Sequence, residues 1–271
     1  MFKIIDFPAH PSKQAADPCF AFCRNKAVID PKHPFDQPWT REGLEKNFGE
    51  TLFSIPIGSW NGKTCYAVEL AQETINPRKF HVTNLYGLLG RISDHSFATY
   101  GRALQLINWQ KNNKFCGRCG GRTELGDSGR ALKCTPCNFL NYPRISPCII
   151  VLITKGDQIL LAAAKGRQKL FYSNVAGFIE PGETAEQAIA REAMEEVGIK
   201  VKNIEYFGSQ PWAFPDQLML AYTAEHDEGE ITINQDELDD AQWFTVKNLP
   251  PVPPNFSISG RLIASFIARY S

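Results

Sequence analysis

With 271 residues, 43% of them hydrophobic and 21% charged, the chain is long enough for two domains, or one large one, each with its own core. The chain contains 29 Lys and Arg residues and 29 Asp and Glu residues, so its formal net charge is zero. This excludes a global electrostatic field that would hold nucleic acid non-specifically. The charge is uneven locally, because 111–144 carries seven basic residues against two acids, whereas 225–240 carries eight acids and no Lys or Arg. A basic patch next to an acidic pocket is typical of a metal-dependent enzyme acting on a phosphorylated ligand.

The N-terminal stretch and the cysteine usage indicate the compartment. Residues 1–11 contain no long apolar segment, and the longest apolar run, 148–153, is too short to span a membrane. The eight cysteines include two C-x-x-C pairs and four scattered residues. Without a secretion signal, metal binding is favoured over a disulfide framework. We therefore expect a cytoplasmic protein that does not associate with membranes.

Residues 1–112 are predicted to form a small β-rich N-terminal domain that ends in a helix. Short apolar runs alternate there with Pro, Asn and Gly clusters, as strands alternate with turns. The helix is predicted from Asp94 to about Asn112, with Phe97, Leu104 and Ile107 on its apolar face. The predicted strands cover 19–23, 26–29, 52–58 and 64–70.

Residues 113–140 are predicted to be a zinc ribbon. Cys116 and Cys119 form one C-x-x-C pair, and Cys134 and Cys137 form a second pair after fourteen intervening residues. Four thiolates in two such pairs hold one Zn²⁺ tetrahedrally and leave no open coordination position. We therefore predict one structural zinc per chain, with no chemistry at this site.

Basic and aromatic side chains are interleaved in and beside the predicted ribbon. One interpretation is that they are solvated charges around a structural zinc, because charged residues are usually exposed. The other is a salt-sensitive attraction that guides the body of an RNA substrate. The residues concerned are Lys111, Lys114, Phe115, Arg118, Arg122, Arg130, Lys133, Phe139 and Tyr142.

Residues 141–271 are predicted to form a third domain in which strands flank two helices. Such a sequence gives an α/β/α layering around a mixed sheet. One helix is expected to begin after the N-cap Thr184, with Gln187 completing a capping box, and to end before Gly198. Its predicted buried stripe is Ile189, Ala193 and Val197. The predicted strands are 147–154, 158–164, 174–179, 204–209, 218–224 and 241–246, and the second helix is 258–270.

The first of these helices carries three carboxylates on one face. Glu195, Glu192 and Glu196 fall at about −60°, 0° and +40° around the helix axis. Oxygen ligands this close together suit Mg²⁺ or Mn²⁺, and a solvated acidic face is the alternative. We expect the face to be exposed, so that Glu196→Gln preserves the fold. Glu183 and Arg191 are expected to form a structural ion pair that orients this segment.

The whole stretch Gly177–Ile199 follows a longer pattern than the carboxylates alone. The specified positions are Gly177, Glu183, Arg191, Glu192, Ala193, Glu195, Glu196, Gly198 and Ile199. This resembles the Nudix box, GX5EX7REUXEEXGU with U aliphatic, although Ala193 is smaller than the usual Leu, Ile or Val. The resemblance implies hydrolysis of a nucleoside diphosphate linked to another group. It also implies the fold class, α+β: an α/β/α Nudix sandwich with a mixed sheet, preceded by the four-cysteine ribbon and the small β-rich domain.

Two further segments narrow the resemblance. Tyr142-Pro143-Arg144 follows the ribbon, and the segment SQPWAFP at Ser209–Pro215 follows the box. Together with a ribbon directly before the catalytic domain, they resemble the NADH pyrophosphatases, which are also viewed as enzymes that remove NAD caps from RNA. The similarity runs from about Phe97 to the C-terminus. That family has SQPWPFPxS, and here Ala213 replaces the middle Pro and Gln217 replaces the final Ser.

The resemblance also implies site residues and partners. Glu192, Glu196, Glu237 and the Ala176 carbonyl would be ligands of Mg²⁺ or Mn²⁺, and Glu195 on the same face is assigned to the metal site with them. Glu196 is the best candidate to accept a proton, within a catalytic group of Glu192, Glu195 and Glu196. A homodimer is implied as well. The residues expected to contact substrate are Tyr142, Phe178 (stacked on nicotinamide), Gln210, Pro211, Trp212, Ala213, Phe214, Pro215, Asp216, Gln217 and Ser259.

The expected reaction is hydrolysis of the pyrophosphate of NAD(H) to nicotinamide mononucleotide and AMP, together with removal of the NAD cap from RNA. One alternative is another Nudix substrate, such as ADP-ribose or a diadenosine polyphosphate. A second is a nucleic-acid-binding ribbon protein with a degenerate catalytic domain. The intact acidic positions of the box and the zero net charge argue against the second alternative.

Overall fold

The computed structural model describes residues 2–4, 13–126, 129–166 and 171–270. The chain divides into two compact units, Met1–Arg144 with Ala213–Asp216, and Ile145–Trp212 with Gln217–Ser271. Most of the stretch 1–11, for which the sequence predicts no leader, lies outside the described residues. A search of the described helices finds none that combines the length and hydropathy needed to cross a membrane.

The first unit opens with a mixed sheet and two helices. The strands lie in the order β1-β5-β6-β2-β3-β7, with β4 beside β2; β2 and β6 are parallel and the remaining pairs are antiparallel. All six residues of β2 are buried, so both faces of this strand are covered. The elements are β1 Phe2–Lys3, β2 Pro18–Cys23, β3 Lys26–Ile29, β4 Trp39–Thr40, α1 Arg41–Phe48, β5 Thr51–Trp60, β6 Lys63–Leu70, β7 His81–Thr83 and α2 Asp94–Asn112.

Helix α2 confirms the predicted bounds and the predicted apolar face. Ser93 caps it by accepting a bond from the Ser96 N–H, and Phe97, Leu104 and Ile107 are buried. Helix α1, by contrast, has no counterpart in the sequence prediction. It is eight residues long and begins after the N-cap Thr40, and so short an amphipathic segment carries a weak periodic pattern.

The ribbon forms a small antiparallel sheet in the order β10-β9-β8. Its strands are β8 Thr123–Leu125, β9 Leu132–Cys134 and β10 Leu140–Asn141. Cys116 and Cys119 precede β8, Cys134 is the last residue of β9, and Cys137 lies in the turn that follows it.

The second unit is built on one mixed sheet in the order β13-β12-β11-β16-β15, with β14 beside β11 and β17 beside β12. The central pair β11 and β16 is parallel, and the other pairs are antiparallel. The elements are β11 Ser146–Lys155, β12 Gln158–Ala164, β13 Tyr172–Ser173, β14 Val175–Phe178, α3 Ala185–Val197, β15 Lys200–Trp212, β16 Gln217–Glu228, β17 Leu238–Thr245 and α4 Ile258–Tyr270.

The two faces of this sheet are covered by different helices. Along β11, Ile149 and Val151 join the core under α3, whereas Ile150 and Leu152 join the core under α4. This alternation follows from the two-residue period of a strand buried on both faces. Each fully buried aliphatic side chain stabilises the fold by about 1.5–3 kcal/mol. The α/β/α sandwich within an α+β chain is therefore confirmed, as is the buried stripe Ile189, Ala193 and Val197 on α3.

Candidate functional site

Helix α3 is held at both ends by bonds that its sequence predicts. At the N-terminus, the Gln187 N–H donates to Thr184 Oγ1 at 3.2 Å, and the Thr184 N–H donates to Gln187 Oε1 at 2.8 Å. At the C-terminus, Gly198 adopts the left-handed conformation with φ 72°. Glycine takes this conformation without steric cost, so the helix ends there.

The loop before β17 is anchored to the last turn of α3. The Thr232 N–H donates to the Val197 carbonyl at 2.9 Å, and the Asn234 N–H donates to the Glu196 carbonyl at 2.9 Å. These bonds satisfy helix carbonyls that would otherwise lack partners. The Glu237 N–H in turn donates to the Asn234 carbonyl at 3.1 Å. The loop therefore brings Glu237 to the end of α3 that carries Glu196.

The three carboxylates of α3 do not share one environment. Glu192 and Glu196 are each only 9% exposed, whereas the Glu195 side chain is 55% exposed. The expectation that Glu196 lies on an exposed face is wrong. Strand β14 and the loop carrying Glu237 cover that part of the helix, and neither packing contact is visible in the local pattern.

Arg191 organises the entrance to this carboxylate cluster. Its guanidinium binds both oxygens of Glu183, at 2.8 and 3.0 Å, which confirms the predicted ion pair. It also donates to Glu192 Oε1 at 2.7 Å, to Glu195 Oε2 at 3.0 Å and to the Phe178 carbonyl at 2.9 Å. The bond to Arg191 lowers the pKa of Glu183. A planar fork of this kind fixes orientation as well as charge.

Burial and like charges act together on Glu196. Desolvation raises its pKa to about 8, with further upward contributions from Glu192 and Glu237. Burial also raises the pKa of the Cys148 thiol to about 12, with smaller contributions from the charges of Glu192 and Glu196, and this favours the neutral thiol. Clustered carboxylates that repel one another in a buried place are the donor set that a hard divalent cation fits.

Strand β14 supplies the wall against which Glu192 rests. A Cβ added to Gly177 would overlap the Glu192 carboxylate and lie within 2.6 Å of its Cγ. The first glycine of the box is therefore required by close approach of a side chain. The Ala176 carbonyl carbon is bonded to the Gly177 nitrogen, so that carbonyl is next to the same carboxylate. Phe178 follows with its ring 48% exposed.

The four ribbon cysteines converge on one point. The Cys119 sulfur lies 3.4 Å from the sulfurs of both Cys134 and Cys137, and the Cys116 sulfur lies 3.8 Å from that of Cys137. Four sulfurs around Zn²⁺ at about 2.3 Å lie roughly 3.8 Å apart, so the set fits the ion. Within the described ranges, this is the one group of three or more His, Cys, Asp or Glu residues whose ligand atoms all lie within 4.8 Å of one another. The carboxylate oxygens of the glutamate cluster do not meet this distance limit.

Comparison with known proteins covers the chain in three parts. The NUDIX domain family matches residues 143–266, the NADH pyrophosphatase zinc ribbon domain matches 111–138, and the NADH pyrophosphatase-like rudimentary NUDIX domain matches 16–109. The NAD-capped RNA hydrolase NudC of Pseudomonas aeruginosa is 41% identical over 231 residues, which cover 85% of this chain and 83% of the relative. The protein of the same name from Vibrio cholerae is 46% identical over 187 residues, 69% of each chain.

The chain belongs to the Nudix hydrolases, in the NADH pyrophosphatase family. Its fold also resembles the crystal structure of a Nudix hydrolase from Nitrosomonas europaea, with a TM-score of 0.50 and 21% identity over 58% of this chain and 91% of that one. The ribbon match supports the structural zinc. The N-terminal match adds that the β-rich region is a rudimentary Nudix domain, which its strand pattern alone does not indicate. The predicted boundaries 1–112, 113–140 and 141–271 stay a prediction.

Two of the residues predicted to contact substrate form hydrogen bonds at the start of α4. Gln210 is buried, its Nε2 donates to the Phe256 carbonyl at 2.8 Å, and its Oε1 accepts from the Ile258 N–H at 2.7 Å. The Ser259 hydroxyl is buried too and accepts from Asn174 Nδ2 at 2.9 Å. Each side chain therefore has a structural role, whatever it contacts in a complex.

The segment that resembles the SQPWPFPxS motif is divided between the two units. Pro211 and Trp212 end β15, where Trp212 is the register partner of Gln217 at the start of β16. The turn between these strands belongs to the first unit and comprises Ala213, Phe214, Pro215 and Asp216. Phe214 stacks on Tyr86 with 3.8 Å between ring centroids. The sequence placed all nine positions, Ser209 to Gln217, in one stretch and did not indicate this division.

Tyr142 lies in the first unit on a cavity of about 330 Å³. Trp109 Nε1 donates to Asn141 Oδ1 at 2.7 Å and holds one wall of the cavity. The pKa of Asp216 is raised above its ordinary value by burial, and the positive charge of Arg144 opposes part of this rise. The sequence analysis did not predict this amide-rich lining. The asparagines at the C-terminal end of α2 were the feature from which it could have been predicted. The lining residues are Gln105, Asn108, Trp109, Asn112, Asn113, Asn141, Tyr142, Arg144 and Asp216.

Proposed function

We propose that this protein hydrolyses the pyrophosphate bond of NAD(H), giving nicotinamide mononucleotide and AMP, and removes the NAD cap from RNA 5′ ends. The observation that carries the proposal is the buried pair Glu192 and Glu196, with Glu192 bonded to Arg191, in a chain whose three parts match the NADH pyrophosphatase organisation. Relatives that share more than four-fifths of their length with this chain bear the name NAD-capped RNA hydrolase.

We further propose that Glu192, Glu195, Glu196, Glu237 and the Ala176 carbonyl hold Mg²⁺ or Mn²⁺. Bound there, the cation would neutralise charge on the phosphate oxygens and lower the pKa of a coordinated water. The charge cluster around Glu196 and the close packing of Glu192 on Gly177 support this assignment.

The chain's own side chains divide the remaining work. Arg191 fixes Glu192 Oε1 and Glu195 Oε2, so that their other oxygens keep one orientation. Glu196, buried beside Glu192 and Glu237, is the candidate to accept the proton of the attacking water. The exposed Phe178 ring is available to stack on the nicotinamide, and the exposed Tyr142 ring is available to the dinucleotide. No oxidation or reduction is involved.

We also propose a homodimer, on the resemblance to the family, and a cytoplasmic location, on the cysteine usage. Sedimentation equilibrium on the zinc-loaded protein tests the first, with a mass near twice 30.4 kDa expected. A single species of monomer mass would contradict it.

The test of the activity is a substrate panel in the presence of Mg²⁺ or Mn²⁺. The panel contains NADH, NAD⁺, NAD-capped RNA, ADP-ribose and a diadenosine polyphosphate, with products separated chromatographically. We expect AMP and the mononucleotide from NAD(H), and 5′-monophosphate RNA from the capped substrate. Preferred cleavage of ADP-ribose or the diadenosine compound would replace the proposed substrate with another Nudix substrate.

A further inference from the structure

A groove of about 390 Å³ lies in the first unit, where β5, the last turn of α2 and the ribbon sheet meet. Its floor is fixed, because Leu125 on β8 is the register partner of the buried Leu132 on β9. Leu52 and Phe115 border the groove and stay 64% and 61% exposed. These two side chains leave apolar surface at the groove that a bound molecule can cover.

The charge along the rim of this groove is positive. Lys111 lines it, but its ammonium is paired with Glu69 Oε1 at 2.9 Å. Glu124 also lines it and is the register partner of Lys133 on the adjacent strand. Two further cations border the groove and form no ion pair within the part of the chain that the structure describes; they are Lys114 and Arg122.

The ribbon backbone holds these cations beside the aromatic ring. Phe115 and Arg122 form an antiparallel bridge, and the Arg122 guanidinium carbon lies 6.0 Å from the Phe115 ring centroid. The Thr123 N–H donates to the Lys114 carbonyl at 3.1 Å. The first cysteine pair lies within this hairpin, between Phe115 and Arg122. The backbone of the hairpin therefore helps to set the distance between the aromatic ring and the charges.

We propose that this groove binds one nucleotide of a single-stranded RNA, with its base against Phe115 and its phosphate between Lys114 and Arg122. Aromatic rings that stack on bases and cations that follow the backbone are how proteins hold single strands without reading sequence. An acidic peptide would meet the same charges but would not need an exposed ring. The inference rests on the proposed function in one respect, namely that the RNA is the body of a capped substrate.

The ribbon offers matched controls for a test. Arg118 lies four residues before Arg122 and does not line the groove, and Phe139 is a second exposed ribbon aromatic outside it. The experiment is fluorescence anisotropy of a labelled, uncapped ten-nucleotide RNA binding to the full chain and to four variants at two salt concentrations. The variants are Arg122→Gln, Arg118→Gln, Phe115→Ala and Phe139→Ala, each checked for zinc content and for NADH turnover.

We expect Phe115→Ala to weaken binding about fivefold or more, the scale of one lost base stack, and Phe139→Ala to change it less than about twofold. Arg122→Gln should weaken binding and reduce the slope of log affinity against log salt by about 0.7, the value for one phosphate contact on a single strand. Arg118→Gln should leave that slope unchanged. NADH turnover should be the same in all four variants.

Equal losses in the groove variants and their controls would overturn the proposal in favour of diffuse charge. Failure of the wild-type protein to bind the oligonucleotide would overturn it as well. An oligonucleotide with a 5′-hydroxyl has no pyrophosphate bond, so its binding can be measured independently of hydrolysis. A protein that bound RNA in the groove but did not cleave NAD(H) or NAD-capped RNA would contradict the proposed function and leave the groove assignment intact.

Discussion

Glu196 illustrates how one residue type takes its properties from its surroundings. Glu195, one position earlier on α3, is half exposed and bound to Arg191, whereas Glu196 is buried among like charges. Burial in a low dielectric disfavours the charged carboxylate, and a neighbouring carboxylate disfavours it further. A divalent cation bound there would oppose both effects, because its positive charge favours the ionised carboxylate.

Glu196→Gln should keep the fold and lower NAD(H) hydrolysis by at least ~10²-fold, the usual scale for a lost acid–base group. The exposed Glu186, in the first turn of the same helix, provides the control Glu186→Gln, which should retain activity. Steady-state rates with Mg²⁺ or Mn²⁺ measure both variants. Near-normal turnover in Glu196→Gln would remove Glu196 from the reaction.

The raised pKa of Glu196 also predicts how stability changes with pH. The carboxyl titrates near its ordinary value of 4.5 in the unfolded chain and near 8 in the fold without added Mg²⁺ or Mn²⁺. Between those values the folded state binds more protons than the unfolded state, so the free energy of unfolding falls as pH rises. Glu196→Gln removes this contribution and should gain stability over the wild type across that window.

Urea denaturation of both zinc-loaded proteins at about pH 5 and about pH 8, without Mg²⁺ or Mn²⁺, measures the difference. We expect the variant to be more stable than the wild type at the higher pH, and the gap to narrow at the lower pH. An identical pH dependence in the two proteins would show that Glu196 ionises normally.

Gly177→Ala tests the contact between β14 and Glu192. The added methyl group would overlap the Glu192 carboxylate, so activity should fall while the circular dichroism spectrum stays unchanged. Gly208→Ala is the matched control on β15, because its nearest atom, Ile258 Cδ1, lies 3.8 Å from the added Cβ. We expect a loss of about tenfold or more for Gly177→Ala, since displaced catalytic groups cost rate steeply. Equal activity of the two variants would contradict the contact.

At the scale of elements, the ribbon and the catalytic sheet are stabilised by different interactions. The ribbon has three short strands and a few buried apolar residues, so a metal must supply much of its stability. The sandwich has two apolar cores, one on each face of the sheet, and needs no such ion to fold. Loss of the zinc should therefore affect the ribbon first.

Cys119→Ser should lower the zinc content below one ion per chain and lower the melting temperature, because a ligand is lost from a closed site. The chemical step should change less than the stability does. Gly117→Ser, between the first two cysteines, is the control, since nothing lies within 4 Å of its added Cβ. Metal analysis and thermal melts measure both variants. A full complement of zinc in Cys119→Ser would show that this cysteine is not a ligand.

At the scale of the whole molecule, the residues assigned to one reaction come from both units. The glutamates and Phe178 lie in the second unit, whereas Tyr142 lies in the first. The motif around Trp212 contributes residues to each. Under this assignment, the capped-RNA and free-dinucleotide activities should respond together to a change at a contact that both substrates share.

Tyr142→Ala should reduce kcat/KM for NADH and for NAD-capped RNA by similar factors, about fivefold or more, because it removes a ring assigned to the dinucleotide that both contain. Tyr142→Phe keeps the ring and should lose much less. Paired steady-state assays on both substrates measure the two variants. A loss confined to the capped RNA would reassign Tyr142 to the RNA body.

Local sequence determined the features that depend on neighbours along the chain. The bounds of β12 and α4, the capping box on Thr184 and the two cysteine pairs all agree with prediction. Each is set by periodicity, by a cap three residues away or by a short fixed spacing, so no distant residue is needed to specify it.

Tertiary structure alone decided which polar groups are buried and which groups they contact. Glu196 is buried because a loop forty residues later binds the carbonyls of its helix and brings Glu237 beside it. Gln210 bonds to Phe256 and Ile258 at the start of α4, and Ser259 in the first turn of α4 accepts from Asn174, and the sequence predicted neither contact. Burial and pairing depend on residues far apart in the chain, and local periodicity carries no information about them.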